Sequence, residues 1–337
     1  MGDDFDVVII GSGFGGSVSA LRLTEKGYRV AVLEAGRRFA DEDLPQTSWR
    51  LRRYVYAPAL RCFGILRLTL LDDVLVMSGA GVGGGSLGYA NTLYEPPDTF
   101  YQDPQWAGIT DWKSELALPY DQAERMLGVT VNPIMTAADH ALRKVADDLD
   151  VGDTFRRTPV GVLFGPQREK VADPFFGGAG PDRRACTHCG SCLTGCRVGA
   201  KNTLVKNYLH LAEQAGAKVF PMTTVTDVRP RSGTGFTVRT RRTGGLAHRD
   251  FHAGQVIFAA GALGTQRLLH RLRDRGRLPR ISPRLGELSR TNSESILGAR
   301  SRRPDAHFNH GVAITSSIHP DQDTHVEPVR YGPGSNL

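Results

Sequence analysis

Residues 5–10, FDVVII, form an apolar run of the kind buried on both faces of a parallel sheet. Directly after it, SVSALRLTEKG has helical spacing through Val18, Leu21 and Leu23, and Gly27 is placed to stop that helix. YRVAVLEAG then reads as a second apolar strand ending at Glu34. The chain therefore opens on strand, helix, strand. Farther along, 95–135 is rich in Pro, Trp and Tyr and reads as irregular surface or cap, 136–150 as a helix, and 158–185 as Gly- and Pro-rich loop. KNTLVKNYLHLAEQAGA at 201–217 is amphipathic, with Leu204, Tyr208, Leu211 and Ala215 on one face. Strands follow at 218–230, 235–242 and 248–261, the middle ones as an antiparallel meander, and GTQRLLHRLRDRG forms a closing helix. The most apolar region, 54–77, is broken by Pro58, Arg61, Arg67, Asp72 and Asp73, so it is no membrane span. It predicts a buried strand and helix pair, with a lid over an apolar substrate as the alternative.

Between the first strand and helix stands GSGFGG, residues 11–16. Gly11 permits the tight turn, Gly13 lets backbone approach a pyrophosphate, and Gly16 lets helix and strand pack closely. The amino end of the helix then faces the phosphates. Glu34 would accept hydrogen bonds from an adenosine ribose and repel a 2′-phosphate. Dinucleotide binding follows, with nicotinamide or flavin still open.

A second glycine-rich stretch, GAGVGGGS at 79–86, is too dense in glycine for another turn of the first kind. Such a run suits backbone lying flat against an extended ligand with its amides exposed to it. FAD is long enough to need two cradles, so this stretch favours flavin.

Together, DVVIIGSGFGGSVSALRL, VLEAG, GAGVGGGSLGYANTLYEPP and VIFAAGALGTQRLL resemble the glucose-methanol-choline (GMC) oxidoreductases, most closely their bacterial cholesterol-oxidase-like branch. The resemblance runs along essentially the whole chain. It implies an FAD-dependent enzyme that takes a hydride from an alcohol carbon. By motif, Gly11, Gly13, Phe14, Gly15, Gly16 and Glu34 would hold the ADP half of FAD. Gly84, Gly85, Ser86 and Asn91 would lie near the pyrophosphate and isoalloxazine, and Val225 matches the position whose backbone meets adenine. Two departures stand out. Gly88 and Tyr89 replace a flavin-facing Asn common in relatives, and AAGALGTQRLL lacks the usual proline.

Lys and Arg outnumber Asp and Glu 42 to 35, with the excess concentrated between Arg267 and Arg303. A solvated helix face and loop is the plain reading, and peripheral contact with an anionic membrane the sharper one. No aromatics interleave with these arginines, which argues against nucleic acid. The acidic start MGDDFD lacks the form of a secretory signal. Four of the five cysteines crowd into CTHCGSCLTGC as Cys186, Cys189, Cys192 and Cys196, which is unlike spread-out disulfide stapling and predicts a reducing, cytoplasmic setting. The spacing matches a ferredoxin run without its proline, Arg197 standing there instead. An iron–sulfur cluster, a zinc site or transient disulfide, and unligated packed thiols all remain open, with Cys62 the remote candidate for completing a site.

Removing a hydride from a secondary alcohol needs a base for the hydroxyl proton. The resemblance places that base, a His with an Asn or second His partner, beyond RYGPGSNL, so the reading is of a truncated chain with weakened or absent catalysis. THVEPVRYG resembles the stretch carrying the glutamate that shifts the steroid double bond, which points to Glu327; a surface Glu paired with Arg330 is the alternative. His310, His319 and His325 read as surface residues.

The expected fold is α/β: a Rossmann-like FAD-binding fold of GMC type with an interleaved, incomplete α+β substrate domain. Residues 1–135 and 200–285 would form the FAD-binding parts, 136–199 a cap with the cysteine cluster, and 286–337 the start of the substrate-binding domain. The implied reaction is oxidation of a sterol-type alcohol, 3β-hydroxysteroid to 3-ketosteroid, with oxygen or an electron carrier as acceptor. The rivals are a dehydrogenase for another bulky alcohol that uses a cysteine-bound cluster, and an inactive remnant.

Overall fold

A computed structural model describes residues 3–287, 296, 298 and 308–335. Much of the arginine-rich stretch, at 288–295, 297 and 299–303, lies outside the described residues, as does part of the segment expected to begin a substrate-binding domain. Two compact units emerge: Met1–Gly88 with Leu204–Pro304, and Tyr89–Thr203 with Asp305–Asn336. Residues 89–135, expected in the FAD-binding part, thus fall in the second unit.

A six-stranded sheet organises the first unit. β1 (Asp3–Ile10) leads into helix α1 (Phe14–Glu25) and returns as β2 (Val30–Leu33); later come β3 (Lys218–Phe220), β4 (Thr223–Pro230), β5 (Phe236–Arg242) and β6 (His248–Phe258). Their order is β3-β2-β1-β6-β5-β4. The β3, β2, β1 and β6 pairings are parallel, with Ile10 opposite Leu33 on one side and Phe258 on the other. β6, β5 and β4 form the expected antiparallel meander. This is the mixed α/β sheet of a Rossmann-like domain.

Central parallel strands have no wet face, which is why β2 is buried at every position. Val8, Ile10, Leu33, Val238 and Phe251 join Leu268 and Leu272 of the helix Gly261–Asp274 in one apolar core. The buried stripe of α1 is Gly16, Ser17, Ala20, Leu21 and Thr24, while Val18 is exposed. Apart from Leu21, which is buried as expected, the stripe is made of small side chains, which allow a closer approach. Of the face expected through Leu204, Tyr208, Leu211 and Ala215, Leu204 and Tyr208 are buried, while Leu209 and Ala212 of the helix Tyr208–Gln214 take the place of Leu211 and Ala215.

Residues 54–77 correct the expectation of a strand and helix pair. They include a hairpin, Leu66–Leu70 against Leu75–Gly79, with Leu68, Leu70, Leu75 and Met77 exposed. No helix among the described residues is long and apolar enough to cross a membrane.

In the second unit, the helix Ala137–Asp148 starts with a capping box in which Asp139 receives the Thr136 amide and hydroxyl, both at 2.6 Å. A further helix, Trp112–Leu127, runs through the stretch expected to be irregular, capped by Asp111 and containing Pro119. Val160, Val162, Cys186, Cys192, Ala200, Val312 and Ala313 form this unit's core.

Candidate functional site

The first glycine stretch lies where β1 passes into α1, and its glycines divide by surroundings. Gly11, at φ +103°, would bring a Cβ 2.3 Å from the Ala259 carbonyl oxygen, and a Cβ on Gly16 would come 2.0 Å from that of Gly11. Only a bare backbone fits at either. Gly13 and Gly15 have nothing within 4 Å of a Cβ position. Their freedom is not needed for packing, which leaves the backbone open to a ligand at the amino end of a twelve-residue helix. Phe14, between them, is exposed.

The second stretch packs against the first. A Cβ on Gly84 would stand 2.7 Å from the Gly13 Cα, whereas Gly85 has open space. Ser86 is fully buried; its hydroxyl donates to the Gly83 carbonyl at 2.7 Å and accepts from the Leu204 amide at 3.0 Å. That side chain fastens the turn Gly84–Leu87, leaving backbone as the part able to face a ligand.

Glu34 directly follows β2 and is buried. Its Oε2 accepts from the Ser12 hydroxyl at 2.7 Å and the Ser12 amide at 3.2 Å, and its Oε1 from the Gly36 amide at 2.8 Å. The same Ser12 hydroxyl accepts from the Gly83 amide at 3.1 Å. Ser12 thus joins both glycine stretches to the acidic residue, a role that sequence reading missed because it occupies a variable position of the glycine motif. Val225 sits in β4 opposite Thr240, beside a bulge between Val225 and Asp227. The cradle, the open helix end and the carboxylate fit the ADP half of a dinucleotide.

Asn91 belongs to the second unit. It is 1% exposed, with φ +74°, and neither polar atom of its side chain has a hydrogen-bond partner. Nearby in sequence, Tyr94 donates its hydroxyl to Glu327 Oε1 at 2.6 Å. His325 Nε2 lies 3.7 Å from that oxygen, and His319 stacks on His325 with ring centroids 4.6 Å apart. Arg330, the expected partner of Glu327, instead donates to the His310 carbonyl and the Thr315 hydroxyl. His319 and His325 are exposed, as expected, and stack on one another beside Glu327.

Cys186, Cys189, Cys192 and Cys196 line one small pocket of the second unit together with Val162 and Lys201. All four are free thiols. Among the described residues no three His, Cys, Asp or Glu side chains are grouped as a metal ion requires, so the cysteines do not fit the iron–sulfur or zinc reading as placed. Cys186 and Cys192 belong instead to the apolar core, and burial pushes the Cys186 thiol up to about 12. Lys201 is buried with them. Its Nζ donates to the carbonyls of Tyr89 and Cys192 at 2.8 and 2.9 Å, and burial lowers the amine to about 8.

Comparison with known proteins agrees with this geometry. Residues 6–41 match an FAD-binding domain profile, and 179–272 that of the GMC oxidoreductases. The chain is 61% identical to a cholesterol oxidase of Mycobacterium tuberculosis (strain CDC 1551 / Oshkosh), over all of this chain and 60% of that protein. It is 48% identical to a cholesterol oxidase of Acinetobacter baumannii, over 99% of this chain and 62% of that protein. The chain therefore spans about 60% of the length of these curated relatives. Among solved structures, a pyridoxine 4-oxidase from Mesorbium loti shares the fold at TM-score 0.51 and 17% identity, covering 79% of this chain and 51% of that one. A fungal aryl-alcohol oxidase does so at 0.51 and 17%, covering 80% and 48%. The glycine cradles, the sheet order and these relatives agree in one direction: the chain is similar to the GMC oxidoreductases, whose profile it matches over residues 179–272.

Proposed function

We propose that this chain carries the FAD-binding part and a portion of the substrate-handling part of an oxidase for 3β-hydroxysteroids, which uses oxygen as acceptor and goes on to isomerise the steroid double bond. The observation that carries the reading is the contact of Gly84 with Gly13, beside backbone left open at Gly13, Gly15 and Gly85, with Glu34 at the end of the adjacent strand. Relatives named cholesterol oxidase support the sterol class.

Bound FAD would supply the acceptor for a hydride from the alcohol carbon. The chain's own residues bind and orient. Gly11, Gly13, Phe14, Gly15 and Gly16 present the helix end to the diphosphate, and the Glu34 carboxylate favours ribose hydroxyls over a phosphate. Backbone at Gly84, Gly85 and Ser86 forms the second cradle, Val225 meets adenine, and Asn91 is assigned to the flavin half by its motif alone. Glu327 serves as the proton carrier of the isomerisation. The exposed hairpin residues Leu70, Leu75 and Met77 support peripheral contact with a lipid surface from which a sterol would be drawn. Five free thiols accord with a cytoplasmic setting.

The test is purification of the full-length protein and assay with a 3β-hydroxy-5-ene steroid. Flavin absorbance, ketosteroid formation and matching peroxide release are expected. A colourless protein that takes up no added FAD would sink the cofactor reading, while dye reduction without peroxide would replace the oxidase by a dehydrogenase.

A further inference from the structure

Tyr94 and Glu327 lie 233 residues apart in the chain and meet inside one compact unit. The approach is built by backbone on both sides. The Leu93 amide donates to the Pro159 carbonyl at 3.1 Å, which holds the segment bearing Tyr94. Ile318 and Val326 exchange hydrogen bonds at 3.0 and 2.9 Å, closing the turn that carries His319 and His325 and leads to Glu327.

The resulting cluster is specific in geometry. The Tyr94 hydroxyl donates to Glu327 Oε1 at 2.6 Å, short enough for a charge-assisted bond. The ring of His325 stands edge-on to that of Tyr94 at 4.9 Å and 86°. His319 lies parallel to His325, with 3° between the planes, and His325 Nε2 is 3.7 Å from Glu327 Oε1.

We infer that Tyr94 is a positioning residue for Glu327, holding the carboxylate through Oε1 in the orientation from which it moves a proton across a steroid 5-en-3-one. The inference rests on the proposed isomerisation and on Glu327 as its base. In that step the carboxylate takes a proton from C4 and the C4–H electrons pass into a dienolate. The acid so formed returns the proton to C6, giving the conjugated 4-en-3-one and the original carboxylate. No electrons are gained or lost overall. A base that must deliver to a second carbon without exchanging its proton with water gains from a fixed orientation, and a donor on one carboxylate oxygen supplies it.

Charge supports the assignment. Burial, followed by the bond to Glu327, raises the Tyr94 phenol well above its ordinary value, so it remains a donor at every working pH. Burial and the neighbouring His319 lower His325, so the ring beside the carboxylate is held toward its neutral form.

The experiment uses the full-length protein and added 5-en-3-one, which separates isomerisation from oxidation. With Tyr94→Phe, the isomerisation kcat should fall about tenfold with little change in KM. The acidic limb of its pH profile should move upward, because a carboxylate that loses a donor binds its proton more tightly. A Tyr94→Phe enzyme with unchanged kcat and an unmoved limb overturns the inference. Carbon-13 tyrosine spectra give a readout free of turnover: one late-titrating phenol, absent in Tyr94→Phe, should titrate earlier in Glu327→Gln, and no response in any tyrosine again overturns it. Isomerisation that survives Glu327→Gln instead removes Glu327 as the base, a failure of the underlying reading that the tyrosine variant does not produce.

Discussion

The Ser12 hydroxyl gives its hydrogen to Glu34 at 2.7 Å while receiving one from the Gly83 amide at 3.1 Å. One small side chain thereby joins the end of β1, the acidic end of β2 and the second glycine stretch. Replacing Ser12 by Ala leaves the Gly83 amide without its acceptor and Glu34 short of a donor, in a place water does not reach. A cost of about 1–3 kcal/mol in unfolding free energy is expected, with weaker FAD uptake because the carboxylate is then held only by the backbone amides of residues 12 and 36. Denaturant unfolding and flavin titration check this; a variant matching the parent in both would mean Ser12 organises nothing.

The two kinds of glycine in GSGFGG should separate on substitution. Gly16→Ala forces a Cβ to 2.0 Å from a backbone oxygen that has no room to retreat, so a loss of roughly 3 kcal/mol or more is expected. Gly13→Ala meets nothing within 4 Å. Its fold should hold, and its defect should appear only as reduced FAD affinity, since the methyl group fills the space left for the diphosphate. Thermal unfolding with and without FAD distinguishes the pair, and equal destabilisation of both apoproteins would contradict the open cradle.

How far the sequence exposes such features depends on how local their causes are. The β1, glycine turn, α1 and β2 unit was readable because its determinants are neighbours: an apolar run, three spaced glycines and an acid. Leu21 was read correctly on the buried face of α1, but Val18 was misplaced there because Gly16, Ser17 and Ala20 pack by smallness, which hydrophobic periodicity does not register. The helix Trp112–Leu127 escaped notice because it buries only Leu127 and contains Pro119, so no apolar stripe marks it; the Asp111 cap was the available signal. The roles of Tyr94 and Lys201 depend on partners 233 and 112 positions away. No local pattern encodes such pairings.

Asp139 illustrates a distant partnership with consequences in acid. It is fully buried and accepts from Thr136, Thr315 and Ser316. Burial alone would raise its carboxyl, yet the hydrogen bonds from Ser316, Thr136 and Thr315 outweigh it and hold the group below its usual value. The carboxylate's contribution is therefore present above the unfolded value and is lost as pH falls through the lower folded one. Asp139→Asn should cost roughly 2–4 kcal/mol near neutrality, with the gap to the parent closing below about pH 4. A gap that stays constant into acid would show that shape, not charge, matters there.

Lys201 reverses the sign. Burial lowers its amine from 10.5 to about 8, so between those values the unfolded chain holds a proton that the folded chain has released. Stability attributable to this group must rise with pH across that window, by an amount on the order of 3 kcal/mol in total. Cys186 acts oppositely: its thiol is raised from 9.0 to about 12, so the unfolded chain ionises first and stability falls above about pH 9. The parent's own pH profile therefore mixes the two. Lys201→Met leaves the Cys186 effect in place and removes that of the amine, so the parent-minus-variant difference in unfolding free energy should climb from about pH 8 toward 10.5. Urea unfolding of both proteins at intervals across that range measures it. A flat difference would mean that the Tyr89 and Cys192 carbonyls, which accept from Nζ, offset the loss of hydration and keep the ammonium protonated in the fold.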